Sequence, residues 1–195
     1  MFYDFCKIIC LFFLRIVRRL QVIGDPKLQK GQGFLVVSNH KSYWDPVVVG
    51  CILNRRINYM GKSELFKIPV LSAIIKNFGT FPIHRDGVHP SSIRHALDLF
   101  KNDQIVGIFP EGARNHTNEL MDPHLGAAML ALKGGVPIVP IALSGTPGFW
   151  RRIKVNVGKP MTVTTSQRRK VSREEMLFVS QELMSELNRL LREIS

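Results

Sequence analysis

The segment VVSNHKSYWDPVVVG, residues 36–50, sets a histidine and an aspartate five positions apart between two apolar runs. An imidazole fixed at one ring nitrogen by a carboxylate presents the other as a base near neutral pH, able to take a proton from a reacting group. On one regular helix His40 and Asp45 would stand about 140° apart, so the pair can meet only across a turn. The flanking residues supply one. GFLVVSN (33–39) reads as a strand ending at His40, and Pro46 disfavours helical backbone at Asp45. DPVVVGCIL offers Asp45 as N-cap and Pro46 as the first helical residue, at a helix N-terminus whose dipole favours a carboxylate. Standing alone, such a pair is more often a helix cap beside a hydrogen-bonded core histidine. Other motifs have to decide.

The elements that would position the pair are legible from periodicity. GFLVVSN (33–39), INYMG (57–61), GTFPI (79–83), IVGIF (105–109), VPIVPIALS (136–144) and RIKVNVG (152–158) read as strands. DPVVVGCILN, IPVLSAIIKNF, HPSSIRHALDLFKN and HLGAAMLALKG, between them, read as helices. SREEMLFVSQELMSELNRLLREIS opens with a capping box, Ser172 to Glu175, and carries apolar residues at 176, 179, 183, 187, 190 and 194, predicting a long C-terminal helix docked on the sheet. Short strands alternating with helices predict an α/β fold: a single layered domain with a mostly parallel central sheet flanked by helices. In such sheets ligands bind at the carboxyl ends of the strands. No internal repeat or Ser/Gly linker divides the chain.

With 27 Lys and Arg against 15 Asp and Glu, the formal charge is +12, which suits an anionic partner: nucleic acid, a phosphorylated metabolite, an acidic carrier protein or an anionic membrane. The chain is 45% hydrophobic, its charged fraction of 22% is ordinary for a folded domain, and mean hydropathy is +0.05. Cys6, Cys10 and Cys51 lack metal-ligand spacing and are odd in number, so a disulfide framework is not expected, and a reducing, cytosolic exposure fits best. The six histidines also lack ligand spacing, and no metal site is predicted.

At the N-terminus, the uncharged run between Lys7 and Arg15 is far short of the ~20 residues that span a bilayer, and the following RIVRRL is no signal-peptide cleavage site. Drawn as a helix over residues 1–20, the segment gathers Asp4, Lys7, Arg15, Arg18 and Arg19 into an arc of about 120°. The other side carries Phe2, Phe5, Ile9, Phe12, Phe13, Ile16 and Leu20. This predicts an amphipathic helix in residues 1–24 lying in the interface of an anionic membrane, with packing on the protein's own core as the alternative.

NHKSYWDP resembles the His-x4-Asp motif of the glycerolipid acyltransferases, and GTFPIHRDG (79–87), FPEGARN (109–115) and VPIVPIAL (136–143) resemble that family's further blocks in the same order. The resemblance spans roughly residues 33–145 and implies an acyltransferase domain over 25–195. It implies that His40 is the general base toward an acceptor hydroxyl, that Asp45 orients it, and that the hydroxyl attacks an acyl thioester. No protein nucleophile is then needed, in keeping with the lack of a Gly-x-Ser-x-Gly elbow. It further implies that Arg85 contacts the acceptor phosphate and that Glu111, Gly112 and Arg114 serve the acceptor. Glu111 would either accept from a glycerol hydroxyl or hold the arginines. Lys62 matches a basic position of the family and is otherwise a solvated lysine. Two departures stand out: Ala113 where the family usually has Thr, and His124 where a Lys often precedes the next helix.

The expected reaction is transfer from an acyl-carrier protein or coenzyme A thioester to 1-acyl-glycerol 3-phosphate (lysophosphatidic acid), giving phosphatidic acid, with no bound cofactor, on the cytoplasmic face of the membrane. Glycerol 3-phosphate or another lysolipid is the alternative acceptor. A nucleic-acid-binding protein would also suit the charge, but the basic residues are dispersed and no helix-turn-helix or aromatic RNA motif occurs, so no nucleic-acid partner is expected. A lipid-binding relative without catalysis is disfavoured by the intact His40 and Asp45.

Overall fold

The apolar runs form the sheet and the 3.6-period segments cover it. The computed structural model of the chain describes residues 2–83, 90–117, 119–164 and 171–195. In chain order the elements are α1 (Phe2–Ile16), β1 (Gln21–Ile23), β2 (Phe34–Ser38), α2 (Asp45–Ile52), β3 (Ile57–Lys62), a 3-10 turn (Ser63–Lys67), α3 (Pro69–Asn77), β4 (Phe81–Ile83), α4 (Pro90–Lys101), β5 (Ile105–Ile108), α5 (Gly126–Gly134), β6 (Ile138–Ser144), β7 (Lys154–Val157) and α6 (Arg173–Arg192).

The seven strands lie in the order β1-β7-β6-β2-β5-β3-β4. Neighbours are parallel except β6 and β7, giving the α/β, mostly parallel sheet. Strand β2 at the centre is buried at every position, because helices cover both faces of the sheet. Its Leu35 and Val37 pack toward α4, α5 and α6, beside Phe100, Leu130 and Leu183. Phe34 and Val36 pack the other way, with Leu14 of α1 and Val48 and Val49 of α2. The α6 stripe docks as its spacing predicts, burying Val179, Leu183, Leu187 and Leu190, and its capping box at Ser172 and Glu175 is formed.

Three features depart from expectation. The first helix stops at Ile16: Arg19 takes a left-handed conformation (φ 47°), and the Leu20 N–H returns to the Leu14 carbonyl. Residues 21–23 then form the unforeseen strand β1, whose side chains are all exposed and whose place is set by backbone pairing to β7. The predicted basic arc also does not survive. The Lys7 ammonium turns inward to donate to the Leu53 carbonyl, and Arg18 is fully buried. Phe5, Ile8, Ile9, Phe12 and Ile16 instead form an exposed apolar side, while Leu14 packs on the sheet. Among the described residues no helix is long and apolar enough to cross a membrane.

The buried Arg18 guanidinium ties the end of α1 to the loop after β6. Nε donates to the Arg151 carbonyl at 3.1 Å, and Nη2 to the carbonyls of Gly145 at 2.9 Å and Thr146 at 3.3 Å. Arg18→Leu leaves these carbonyls without their donor and should destabilise the fold by about 3 kcal/mol. For a domain of this size that lowers the thermal midpoint by roughly 10 °C in a circular-dichroism melt. A midpoint within about 2 °C of wild type would mean that the guanidinium does not anchor the loop.

Candidate active site

Strands β2, β5 and β6 run parallel, so their carboxyl ends share one edge of the sheet, and the polar motifs converge there. Asn39, just past β2, is fully buried and binds the β6 backbone like an added strand residue. Its Nδ2 donates to the Leu143 carbonyl at 2.9 Å and its Oδ1 accepts from the Leu143 N–H at 2.8 Å. The strand end from which His40 projects is thereby fixed.

His40 Nδ1 lies 2.8 Å from Asp45 Oδ2, with the carboxylate fully buried and the imidazole 19% exposed. The same oxygen accepts the backbone N–H groups of Lys41 and Ser42, each at 2.6 Å. Asp45 is therefore not the N-cap that sequence suggested. Trp44 holds that position, Asp45 is already helical, and its carboxylate caps the preceding 40–42 turn instead of the helix. The tautomer with a proton on Nδ1 donates to Asp45 and leaves the Nε2 lone pair free to act as a base. Among the described residues no protein group bonds Nε2. One face of the imidazole stacks on Phe109, with centroids 4.1 Å apart, and Tyr59 stacks beyond it at 6.0 Å from Phe109. The Tyr59 hydroxyl donates to the Pro46 carbonyl at 2.8 Å, and burial holds its pKa well above the usual phenol value, so it remains a donor supporting α2.

The turn after β5 grips the His40 backbone from the other side. Glu111 is buried, and its carboxylate takes three donors: the His40 N–H on Oε1 at 2.9 Å, and Asn115 Nδ2 (2.7 Å) and the Met121 N–H (3.1 Å) on Oε2. Asn115 N–H in turn donates to the His40 carbonyl at 2.6 Å. Beside the two alternatives open from sequence, a contact to a glycerol hydroxyl or a hold on the arginines, the structure shows a third use of Glu111, this grip on the His40 backbone. Gly112 is left-handed (φ 66°), and an added Cβ would stand 2.6 Å from Cδ2 of His124. The close approach expected at this glycine is thus made by the His124 ring. Arg114 lies over the ring of exposed Tyr43 at 3.7 Å from its centroid, which places a guanidinium beside the 40–45 turn. Lys62 is exposed at the carboxyl end of β3, in register with Ile83 of β4. His84 and Arg85 lie outside the described residues.

Sequence reasoning missed Asn39, Phe109 and Asn115. Each falls inside a motif already singled out, but read as strand or turn. The three cysteines are free, and burial pushes the Cys51 thiol up to about 12, so it stays protonated.

A family model described as acyltransferase matches residues 19–144. The chain belongs to the acyltransferase family. It is 32% identical over 165 residues to the 1-acyl-sn-glycerol-3-phosphate acyltransferase of Bacillus subtilis, covering 82% of each chain. The human alpha enzyme of the same name is 32% identical over 136 residues, which are 68% of this chain and 48% of that longer protein. Among solved structures, the 1-acyl-sn-glycerophosphate acyltransferase PlsC of Thermotoga maritima superposes with a TM-score of 0.73 at 20% identity, covering 99% of this chain and 82% of that one, a likeness of fold. The blocks at 39–46 and 109–115 thus meet at one sheet edge around His40.

Glu111→Gln tests the grip on His40. Whichever way the amide is turned, its NH2 opposes an N–H donor, at a cost of about 1–3 kcal/mol in stability. With the base displaced, kcat should fall about tenfold or more while acceptor KM changes little. A raised acceptor KM with unchanged kcat and stability would show that Glu111 binds substrate instead.

Proposed function

We propose that this acyltransferase moves a fatty acyl group from an acyl thioester to the free hydroxyl of 1-acyl-glycerol 3-phosphate, forming phosphatidic acid for phospholipid synthesis. The observation that carries the reading is the buried Asp45 carboxylate 2.8 Å from His40 Nδ1, with no described residue bonded to Nε2. Relatives from bacteria, yeast and human share the name 1-acyl-sn-glycerol-3-phosphate acyltransferase, which supports the choice of acceptor.

His40 Nε2 removes the hydroxyl proton as the oxygen attacks the thioester carbonyl carbon. Asp45 keeps the imidazole in the required tautomer and stabilises the imidazolium. The tetrahedral intermediate collapses by breaking the carbon–sulfur bond, and the leaving thiolate takes the proton back from His40. The base ends as it began. Arg114 and Lys62, with Arg85, supply cations for the acceptor phosphate, Arg114 already being held beside the turn by Tyr43. Gly112 and Glu111 shape and hold this acceptor side of the edge. An acyl-carrier protein or coenzyme A thioester is substrate, not a resident cofactor, and the net +12 suits either acidic donor.

In this reading residues 1–24 associate with an anionic membrane surface, and the enzyme works peripherally on its cytoplasmic face, with 25–195 carrying the transfer. Support comes from the exposed Phe5, Ile8, Ile9, Phe12 and Ile16 on α1, a larger contiguous apolar side than a solvated helix shows. Arg15 and Arg19 are exposed beside it.

With labelled acyl-carrier protein and acyl coenzyme A as donors, and lysophosphatidic acid or glycerol 3-phosphate as acceptor, wild type should form phosphatidic acid. His40→Ala should be slower by about 10²–10⁴ with an unchanged melting curve. Near-normal turnover by a folded His40→Ala would remove the base, and product from glycerol 3-phosphate alone would reassign the acceptor. Separately, Phe5→Ser/Ile9→Ser/Phe12→Ser should weaken co-sedimentation with phosphatidylglycerol vesicles at least about tenfold, given the apolar area removed. Unchanged binding would free α1 of this role.

A further inference from the structure

The loop between β6 and β7, residues 145–153, bears a surface that acyl transfer does not use. At its tip Trp150 is 83% exposed and Phe149 50% exposed, and both Arg151 and Arg152 are exposed beside them. Along the chain the charge on either side of this loop has one sign, since from Pro123 to Arg173 there is no Asp or Glu. The loop is nevertheless held in place. Arg18, fully buried, donates to backbone carbonyls at both of its ends, Gly145 and Thr146 on one side and Arg151 on the other. A buried cation spent on fixing a loop that displays an indole to solvent indicates that the display itself has a use.

The position of the loop indicates which use. It leaves the carboxyl end of β6, the same edge on which Asn39 bonds Leu143 and from which His40 projects. A row of rings links its tip to the catalytic turn: Trp150 meets Phe149 with centroids 5.1 Å apart, Phe149 meets Phe13 at 5.8 Å, and Phe13 stacks on Trp44 at 5.7 Å. Trp44 directly precedes Asp45, and Phe13 belongs to α1, next to the exposed apolar side that carries Ile9, Phe12 and Ile16.

We infer that this loop is a second bilayer contact, in which Trp150 and Phe149 enter the interface of an anionic phospholipid membrane while Arg151 and Arg152 pair with lipid phosphates. The inference rests on the membrane reading of α1 and deepens it. A single amphipathic helix leaves a protein free to roll about the helix axis, whereas a second contact at the far end of α1 removes that freedom and turns the His40 edge toward the bilayer that holds a lysolipid acceptor. Indole at the headgroup level with arginines beside it is the chemistry of an interfacial anchor. An acidic protein would answer the arginines but not the bare aromatic pair.

The test uses the full chain and vesicles of phosphatidylcholine with or without phosphatidylglycerol, their acyl chains brominated to quench nearby indoles. Wild-type emission should shift to the blue and be quenched on anionic vesicles, and Trp150→Ser should lose most of that response and bind about tenfold more weakly. Arg151→Gln and Arg152→Gln should each weaken binding about fivefold, only where phosphatidylglycerol is present. The arginine variants and the wild-type quenching keep the inference testable even if Trp150→Ser folds poorly. Wild type that binds through α1, as judged by loss in Phe5→Ser/Ile9→Ser/Phe12→Ser, with unquenched Trp150 and unaffected loop variants, overturns this inference and leaves the reading of α1 standing. Wild type that binds no vesicle overturns both. An emission shift on adding acyl-carrier protein, or on raising protein concentration without lipid, in place of the vesicle response would make the loop a protein-docking surface and overturn the bilayer assignment.

Discussion

Everything at the reacting edge depends on one oxygen. Asp45 Oδ2 accepts from His40 Nδ1 and from the N–H groups of Lys41 and Ser42, so a single buried acceptor fixes both the turn and the imidazole within it. Burying a carboxylate is costly, and the three donors that offset the cost, all from within five residues, converge on Oδ2 while Oδ1 is buried without a partner. The turn runs directly into α2, where Asp45 is already helical and Pro46 suits the first turn. The scaffold of β2 then needs to do one further thing, which is to stop the strand end from moving. Asn39 does so by completing a pair of hydrogen bonds with β6.

A second carboxylate serves the same imidazole by a different route. Glu111 accepts the His40 backbone N–H, while the Asn115 N–H donates to the His40 carbonyl. The two acidic residues thus divide the problem: one sets tautomer and ring direction, the other sets where the residue sits. Positioning of this kind contributes to rate because a displacement of about 1 Å at a general base costs orders of magnitude. It also explains why a Glu is placed on the turn after β5, the strand adjacent to β2, where the parallel register brings the two strand ends level.

The sheet and most helices were legible because their signal is local. Continuous apolar runs such as FLVVS in β2 have one reading in a fold with helices on both faces, and the α6 stripe is a period that no other element imitates. What was not legible depends on distant partners. Asn39 and Leu143 are 104 positions apart, and nothing in either neighbourhood announces the pair. Strand β1 is three exposed residues held by backbone bonds alone, so it has no side-chain pattern to read. The N-cap role given to Asp45 followed from its place before Pro46, and it failed because the helix begins one residue earlier, with Trp44 as N-cap, and the carboxylate turns back to His40, Lys41 and Ser42.

The first helix shows most plainly where a helical wheel stops being informative. The wheel grouped Lys7 and Arg18 with Arg15 and Arg19 because their angles agree, and it separated all of them from the aromatic side. Which side meets the protein is decided by partners that the wheel does not contain. The carbonyl of Leu53 waits for Lys7, and three carbonyls of the 145–151 segment wait for Arg18, which lies beyond the helix in any case. Both cations are drawn inward to meet those carbonyls, an unmet buried acceptor costing about 1–3 kcal/mol. With polar groups drawn inward, the helix is left to show Phe5, Ile8, Ile9, Phe12 and Ile16 outward, and folding alone offers those side chains nothing to bury against. On the proposed reading of α1, that apolar side meets the surface on which a lipid substrate resides.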